Sequence, residues 1–241
     1  MAQLFIIEGN IDWAIYKIID SSIHHQITRV LRMQTGDFLF LQERAWTKRV
    51  KVCIVHIDQK SITTELVTTE SAPISLKQVT LYIALPNRFD KLEVIVQKLS
   101  EIWVYRCVFW PARKSILREL PQKKYERLTV IAREAIEQSW WWSVPIISFV
   151  DAIEFPSWGQ IILFDYHENL SSHVPIHTVR ERKSSSATHE IAGIVWPEWW
   201  FHNDELIARA PLLTAQIALG EHVLRMETAA IVGWWRLQQS I

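Results

Sequence analysis

The C-terminal third of this 241-residue sequence concentrates the residue types that can do chemistry. Gly193-Ile194-Val195-Trp196-Pro197-Glu198-Trp199-Trp200-Phe201 closes an apolar run. About twenty residues later comes Leu219-Gly220-Glu221-His222-Val223-Leu224-Arg225-Met226-Glu227-Thr228-Ala229-Ala230. Gly220 after a β-run fits a tight strand-to-loop turn, and Glu227-Thr228 fits the start of a helix. A fixed guanidinium such as Arg225 suits the stabilisation of negative charge that develops during a reaction. The competing reading is a salt bridge from Arg225 to Glu227 or Glu221, and the sequence leaves both open. Glu198 fits helix capping at least as well as catalysis.

A second constellation is basic. Between residues 106 and 127, Arg106, Arg113, Lys114, Arg118, Lys123, Lys124 and Arg127 face only Glu119 and Glu126, a local excess of five positive charges. That is enough for several phosphate contacts, although such a run also fits a solvated helix face. Arg29 and Arg32 beside His24 and His25 form a further basic patch. The adjacent histidines make a poor metal site, because neighbouring positions rarely point at one ion and no thiol or carboxylate partner is close in sequence. Cys53 and Cys107, 54 positions apart, make neither a disulfide framework nor a zinc site. No metal is expected.

The elements that must position these groups follow from apolar periodicity. Phe38–Leu41, Val50–Val55 and Ser61–Val67 read as short strands, residues 22–32 as a short helix, and Thr35-Gly36-Asp37 as a turn. Thr69–Pro73 is expected to be a linker. Beyond it the pattern alternates: strand Val79–Leu85, helix Arg88–Ile102, strand Val104–Phe109, helix Lys123–Gln138. Strands Val144–Phe149, Ile161–Phe164 and Ile191–Val195 follow, then a closing helix Glu227–Leu237. Repeated β-α units predict a mostly parallel sheet covered on both faces. The polar stretch His167–Thr188 is expected to be a long surface loop.

Composition bounds the class. With 26 Lys+Arg against 26 Asp+Glu the formal net charge is zero, which excludes a disordered charged tail and any global pull toward nucleic acid. The N-terminal residues carry no cationic segment of a signal peptide, and no stretch approaches 18 uncharged apolar residues. A soluble, reduced, cytoplasmic protein is the expectation. One count is anomalous: 13 Trp accompany only 6 Gly, where an average chain of this length carries about 17 Gly.

The ordered motifs resemble those of the SPOUT (α/β-knot) methyltransferases that methylate N3 of a uridine in 16S ribosomal RNA. Leu219-Gly220 through Val223-Leu224-Arg225 and Glu227-Thr228-Ala229 is similar to that family's Leu-Gly-x-x-hydrophobic-Leu-Arg-x-Glu-Thr-Ala. Pro197, Glu198 and Phe201 match its Gly-Pro-Glu-Gly-Gly-Phe loop, with Trp196, Trp199 and Trp200 at the glycine positions. Lys98-Leu99-Ser100-Glu101-Ile102-Trp103-Val104 resembles Lys-x-x-Glu-Leu-Gly-Val, and Glu134-Ala135-Ile136-Glu137-Gln138-Ser139-Trp140 resembles Glu-Ala-x-Glu-Gln-Ser-Gly. His25 through Arg32 with Gly36-Asp37 resembles the signature of the family's N-terminal PUA-like domain.

The resemblance implies an α/β fold: a small PUA-like RNA-binding β-barrel over residues 1–72, then a trefoil-knotted parallel sheet over 73–241. It implies S-adenosyl-L-methionine as cofactor, held by Trp196, Pro197, Glu198, Trp199, Trp200, Leu219, Gly220, Val223, Leu224, Arg225 and Thr228. It makes Arg225 the first candidate for stabilising charge on the uracil carbonyls, with Glu198 and Glu227 orienting groups or accepting the N3 proton. RNA contacts would come from His25, Arg29, Arg32, Arg113, Lys114 and Arg118. The implied partners are 16S rRNA in the small ribosomal subunit and a second copy of the chain.

Tryptophan thus stands at glycine positions 103, 140, 196, 199 and 200. These loops need positive φ and close backbone approach, which tryptophan does not supply. The expectation is that the source organism reads UGA as glycine. The alternatives are packing, base stacking by Trp140-Trp141-Trp142 and Trp234-Trp235, or an interfacial membrane belt. If the tryptophans are what the cell makes, a non-catalytic RNA-binding protein of the same fold becomes the rival reading. A methyltransferase acting on another nucleotide is a weaker rival.

Overall fold

Alternating apolar residues build the first part of the chain. The computed structural model describes residues 3–8, 11, 14–44, 48–72, 78–113, 115–153, 160–165, 191–195 and 213–240. The chain divides into two compact units. The first comprises Met1–Ser75 with Ile136–Val144, and the second Leu76–Ala135 with Pro145–Ile241. The single cut at 72/73 expected from sequence did not anticipate that residues 136–144 belong with the first unit.

The first unit contains β1 (Leu4–Ile7), β2 (Ile15–Ile18), β3 (Phe38–Glu43), β4 (Lys48–Ile57) and β5 (Ile62–Ser71). They form one sheet in the order β1-β3-β4-β5-β2. Only β1 and β3 pair in parallel; the other pairings are antiparallel. Leu39 and Leu41 on β3 and Val50, Val52 and Ile54 on β4 share the buried face with Phe5, Ile18 and Ile62, the two-residue alternation that a half-buried sheet imposes. The register of β4 against β5 shifts between Lys51 and Val52 and again between Ile54 and His56, as β-bulges do.

The expected helix over 22–32 is a short α-helix, α1 (Ser21–His25), running into one turn of π-helix at Gln26–Val30. Asp20 caps it, its carboxylate accepting from the amides of Ser22 at 2.8 Å and Ile23 at 3.1 Å. The turn at Thr35-Gly36-Asp37 forms as expected, with Gly36 at φ 96° and its amide donating to the Ile54 carbonyl. The expected linker does not begin at Thr69. β5 continues to Ser71, which pairs with Lys48, because the long partner strand β4 offers hydrogen bonds that far.

Residues 136–144 are bound into this unit by polar contacts. Glu137 Oε1 accepts from the amide of Ile6 at 3.0 Å, and Gln42 Nε2 donates to the carbonyl of Trp142 at 2.9 Å. The buried Arg49 donates twice to Gln42 Oε1 and once each to the carbonyls of Trp140 and Trp141. Burial pushes the Arg49 guanidinium below its ordinary range, and Glu70 acts in the opposite sense.

The second unit alternates strand and helix: β6 (Val79–Ala84), α2 (Phe89–Glu101), β7 (Arg106–Trp110), α3 (Gln122–Ser139, whose last turn from Ile136 belongs to the first unit), β8 (Ile146–Phe149), β9 (Gln160–Asp165), β10 (Ile191–Val195), β11 (Ala215–Ala218) and α4 (Met226–Ser240). Six strands lie in the order β11-β9-β10-β6-β7-β8, and every pairing is parallel. This is the expected parallel sheet. β10 is buried at every position, as the central strands of such a sheet must be.

The last helix packs against α2 and across β10 and β6. Two glycines permit that approach. A Cβ on Gly193 would stand 2.7 Å from Leu81 Cδ2 and 3.1 Å from Leu237 Cδ1, and one on Gly233 would stand 2.7 Å from the Phe164 ring. No described helix is long and apolar enough to cross a membrane. The expected loop at His167–Thr188 lies outside the described residues.

Candidate functional site

In an open parallel sheet, ligands bind beyond the carboxyl ends of the strands where the strand order reverses. Here the chain builds β7 and β8 on one side of β6, then β9, β10 and β11 on the other. The reversal therefore falls between β6 and β10. The register aligns Val195 with Ile83, Ile194 with Leu163, and Ala218 with Asp165. The ends of four adjacent strands thus open onto one edge, and the segment after Ala218, which carries one of the C-terminal sequence motifs, leaves from that edge.

Residues 219–225 form neither helix nor strand. Gly220 is exposed, and a Cβ built there would meet nothing within 4 Å. Val223 is exposed, while Leu219 and Leu224 are half-buried. Arg225 is exposed at the entrance to α4, where its carbonyl accepts from the Ala229 amide at 2.8 Å. Met226 is buried and anchors the helix start; Thr228 is exposed one turn in. Leu219, Gly220, Val223, Leu224, Arg225 and Thr228 are therefore carried on one short segment. The main-chain groups of such a segment could hold a nucleoside-containing cofactor without side-chain charge.

Glu227 is half-buried, and the ion pair it makes is with Lys91 of α2, whose Nζ lies 4.0 Å from its Oε2. That oxygen is buried and accepts no hydrogen bond among the described residues. The structural alternative for Arg225, a salt bridge to Glu227, is thus not the arrangement found. Sequence reasoning did not single out Lys91, which is 136 positions from Glu227; only the packing of α4 on α2 brings them together.

The basic run is partly committed to structure. After β7 the chain turns through Pro111–Leu120 on the same edge of the sheet. The Ser115 hydroxyl donates to the Leu85 carbonyl at 3.1 Å, and the Leu85 amide donates to the Trp110 carbonyl. Arg113 and Arg118 are exposed on this loop, but the Arg118 guanidinium donates to the carbonyls of Ala112 and Arg113. Arg127 bonds to Glu93, and the Lys124 ammonium lies over the Phe89 ring. In the first unit, His25 and Arg29 are exposed along α1 and the π turn, and Arg32 is exposed just beyond it. His24 instead holds the Asp58 carbonyl at 2.8 Å. Ser115, which fixes the loop, carried no sequence signal because its partner lies thirty residues away.

Trp196, Pro197, Glu198, Trp199, Trp200 and Lys114 lie outside the described residues. Among the described residues no group of three or more side chains could hold a metal ion.

Comparison with known proteins bears on the family and the fold. The chain is 31% identical over 145 residues to the ribosomal RNA small subunit methyltransferase E of Bacillus subtilis, a match covering 58% of this chain and 55% of that protein. It is 29% identical to the protein of the same name from Rickettsia conorii, over 86% of this chain and 82% of that one. The fold matches a ribosomal RNA small subunit methyltransferase E from Neisseria gonorrhoeae, solved bound to S-adenosyl methionine. The TM-score is 0.76 at 18% identity, over 100% of this chain and 98% of that one. The family model described as an RNA methyltransferase domain matches residues 73–238, and with the motif-bearing segment hung from the carboxyl edge of a parallel sheet this places the chain in the RNA methyltransferase family.

Proposed function

We propose that this protein transfers a methyl group from S-adenosyl-L-methionine to N3 of a uridine in 16S ribosomal RNA of the small subunit. The observation that carries the reading is the segment Leu219–Thr228. It continues β11 past the sheet and into the first turn of α4, and it leaves open space beside Gly220. The names of the two relatives support the substrate class, and the Neisseria protein's ligand supports the cofactor.

In this reading the main chain of 219–225 holds the cofactor, with Leu224 and Val223 offering apolar contact and Thr228 a hydroxyl at the first turn of α4. Trp196, Pro197, Glu198, Trp199 and Trp200 are the matching positions on the second loop. The cofactor supplies an electrophilic methyl group on a sulfonium. The protein's part is then mainly positioning, which removes several kcal/mol from such a barrier. Arg225 is exposed toward solvent and offers its fork of donors to the uracil carbonyls as N3 loses its proton. Glu227, held by Lys91, orients the start of α4, and Glu198 is the other candidate for accepting the proton. The target uridine must be unpaired or extruded, since N3 is occupied within a base pair.

Residues 1–72 serve in this proposal as a PUA-like RNA-binding barrel, contacting phosphates through His25, Arg29 and Arg32. Residues 73–241 form the trefoil-knotted SPOUT domain, with Arg113, Lys114 and Arg118 as its RNA contacts. The family model's start at residue 73 supports that boundary. The working form is a cytoplasmic homodimer with the sites near the interface.

Small subunits lacking the modification, incubated with the protein and S-adenosylmethionine, should yield N3-methyluridine on nucleoside mass spectrometry of their rRNA. No methylated nucleoside, with RNA still bound, would favour the non-catalytic RNA-binding alternative that tryptophan at 196, 199 and 200 raises. A mark on another nucleotide would replace the substrate.

A further inference from the structure

Two helices of this chain end in the same unusual way. α2 finishes at Glu101, with Ile102 as its cap and Trp103 beyond it at φ 74°. The amide of Trp103 donates to the Ser100 carbonyl at 3.2 Å, and that of Val104 to the Leu99 carbonyl at 3.0 Å. This pair of reversed bonds is the Schellman motif, whose left-handed position is filled mostly by glycine. α3 finishes at Ser139, and Trp140 follows at φ 58° with its amide on the Ile136 carbonyl at 2.9 Å. That is the related single-bond left-handed cap. A bulky aromatic residue in this region is a genuine outlier, because its Cβ crowds the following carbonyl.

Left-handed backbone alone does not demand glycine, since Arg32 also occupies it at φ 55°. The weight comes from three facts together. Among the described residues only three without a glycine side chain have positive φ, and two of them are tryptophan. Both sit at the one cap position where glycine is the default. The whole chain has 6 Gly against 13 Trp, a deficit of about ten glycines.

We propose that the protein made in its own cell carries glycine at positions 103 and 140, because UGA, translated here as tryptophan, specifies glycine in that organism. The same reading extends to Trp196, Trp199 and Trp200 and would clear three indole groups from the second C-terminal loop. The two caps are independent of the proposed methyl transfer. Trp110, buried in a strand, and Trp234, which donates its indole N–H, are ordinary tryptophans in the same account.

Two measurements test it. Peptides covering residues 99–105 and 137–143 of the protein purified from its source should have masses with glycine at 103 and 140, and the gene should read UGA there. Tryptophan at either position in the native peptide, or UGG in the gene, overturns the proposal. The backbone argument has its own readout. Trp103→Gly and Trp103→Ala both lose the half-exposed ring, so they differ only by the Cβ. W103G should unfold about 2–8 °C above W103A. A W103A variant as stable as W103G would remove the backbone's preference for glycine and, with it, the structural ground of the proposal.

Discussion

The indole N–H of Trp234 donates to the backbone carbonyl of Ile102, the residue that caps α2. The same carbonyl accepts from Gln238 Nε2 at 3.2 Å, one turn further along α4. A helix-terminal carbonyl that would otherwise lack a partner is thus satisfied by the closing helix. Because α4 begins at the Arg225–Thr228 motif, this double contact helps to set where that motif sits over the sheet edge.

Trp234→Phe keeps most of the buried ring and deletes the donor. It should cost about 1 kcal/mol, seen as a fall in Tm of about 2–4 °C. Gln238→Ala should cost less, since its carbonyl partner keeps the indole. Thermal unfolding followed by circular dichroism measures both. Equal Tm values for W234F and the parent would show that the bond contributes nothing.

Arg49 should be critical to the first unit. Arg49→Ala strands the buried Gln42 Oε1 and the half-buried carbonyls of Trp140 and Trp141, at about 2–4 kcal/mol. Arg49→Lys should recover little of this, because a single ammonium cannot span acceptors that the planar fork reaches together. The bonds to 140 and 141 go to the main chain, so the expectation holds whichever side chain stands at 140. Denaturant unfolding of the two variants checks it.

The long periodic elements were legible in the sequence. Leu92, Ile95, Val96 and Leu99 at helical spacing gave α2 to within a residue or two, and the β-branched runs gave β6 and β10. Three strands were not legible. β1, β2 and β11 are four residues long and are defined by partners elsewhere: β1 by β3, β2 by β5, β11 by β9. Thr69–Ser71 carried linker composition, yet strand pairing overrode it. At the site, the Leu219–Thr228 motif was readable because its residues are contiguous. Lys91 and Ser115 were not, because each acts on a group brought to it only by the fold.

The cysteines should separate chemically. Cys107 is buried on β7, and burial pushes its thiol up, whereas Cys53 is half-buried on β4. The thiolate is the reactive form. At about pH 8.5, iodoacetamide should modify Cys53 well before Cys107, with the difference lost in denaturant. The same shift has a sign for stability. The unfolded thiol ionises near its ordinary value of about 8.5 and the folded one does not, so stability falls as pH rises above that value. Cys107→Ala should flatten the fall.

Arg225→Ala should lower methyl transfer by roughly a hundredfold or more, the scale of losing one donor to developing charge. Binding of S-adenosylmethionine through the main chain should change little, so the loss should appear in kcat. Arg225→Lys should restore only part of it. A loss confined to KM would assign Arg225 to binding instead. Radiolabelled methyl transfer to small subunits separates the two.

The cradle itself is tested most directly by hydrogen exchange. S-adenosylmethionine added to the protein purified from its source should slow exchange of the amides of residues 219–228, and more strongly than those of the first unit. Unchanged exchange across 219–228 at saturating cofactor, or protection confined to other segments, would contradict the assignment of this segment as the cofactor site.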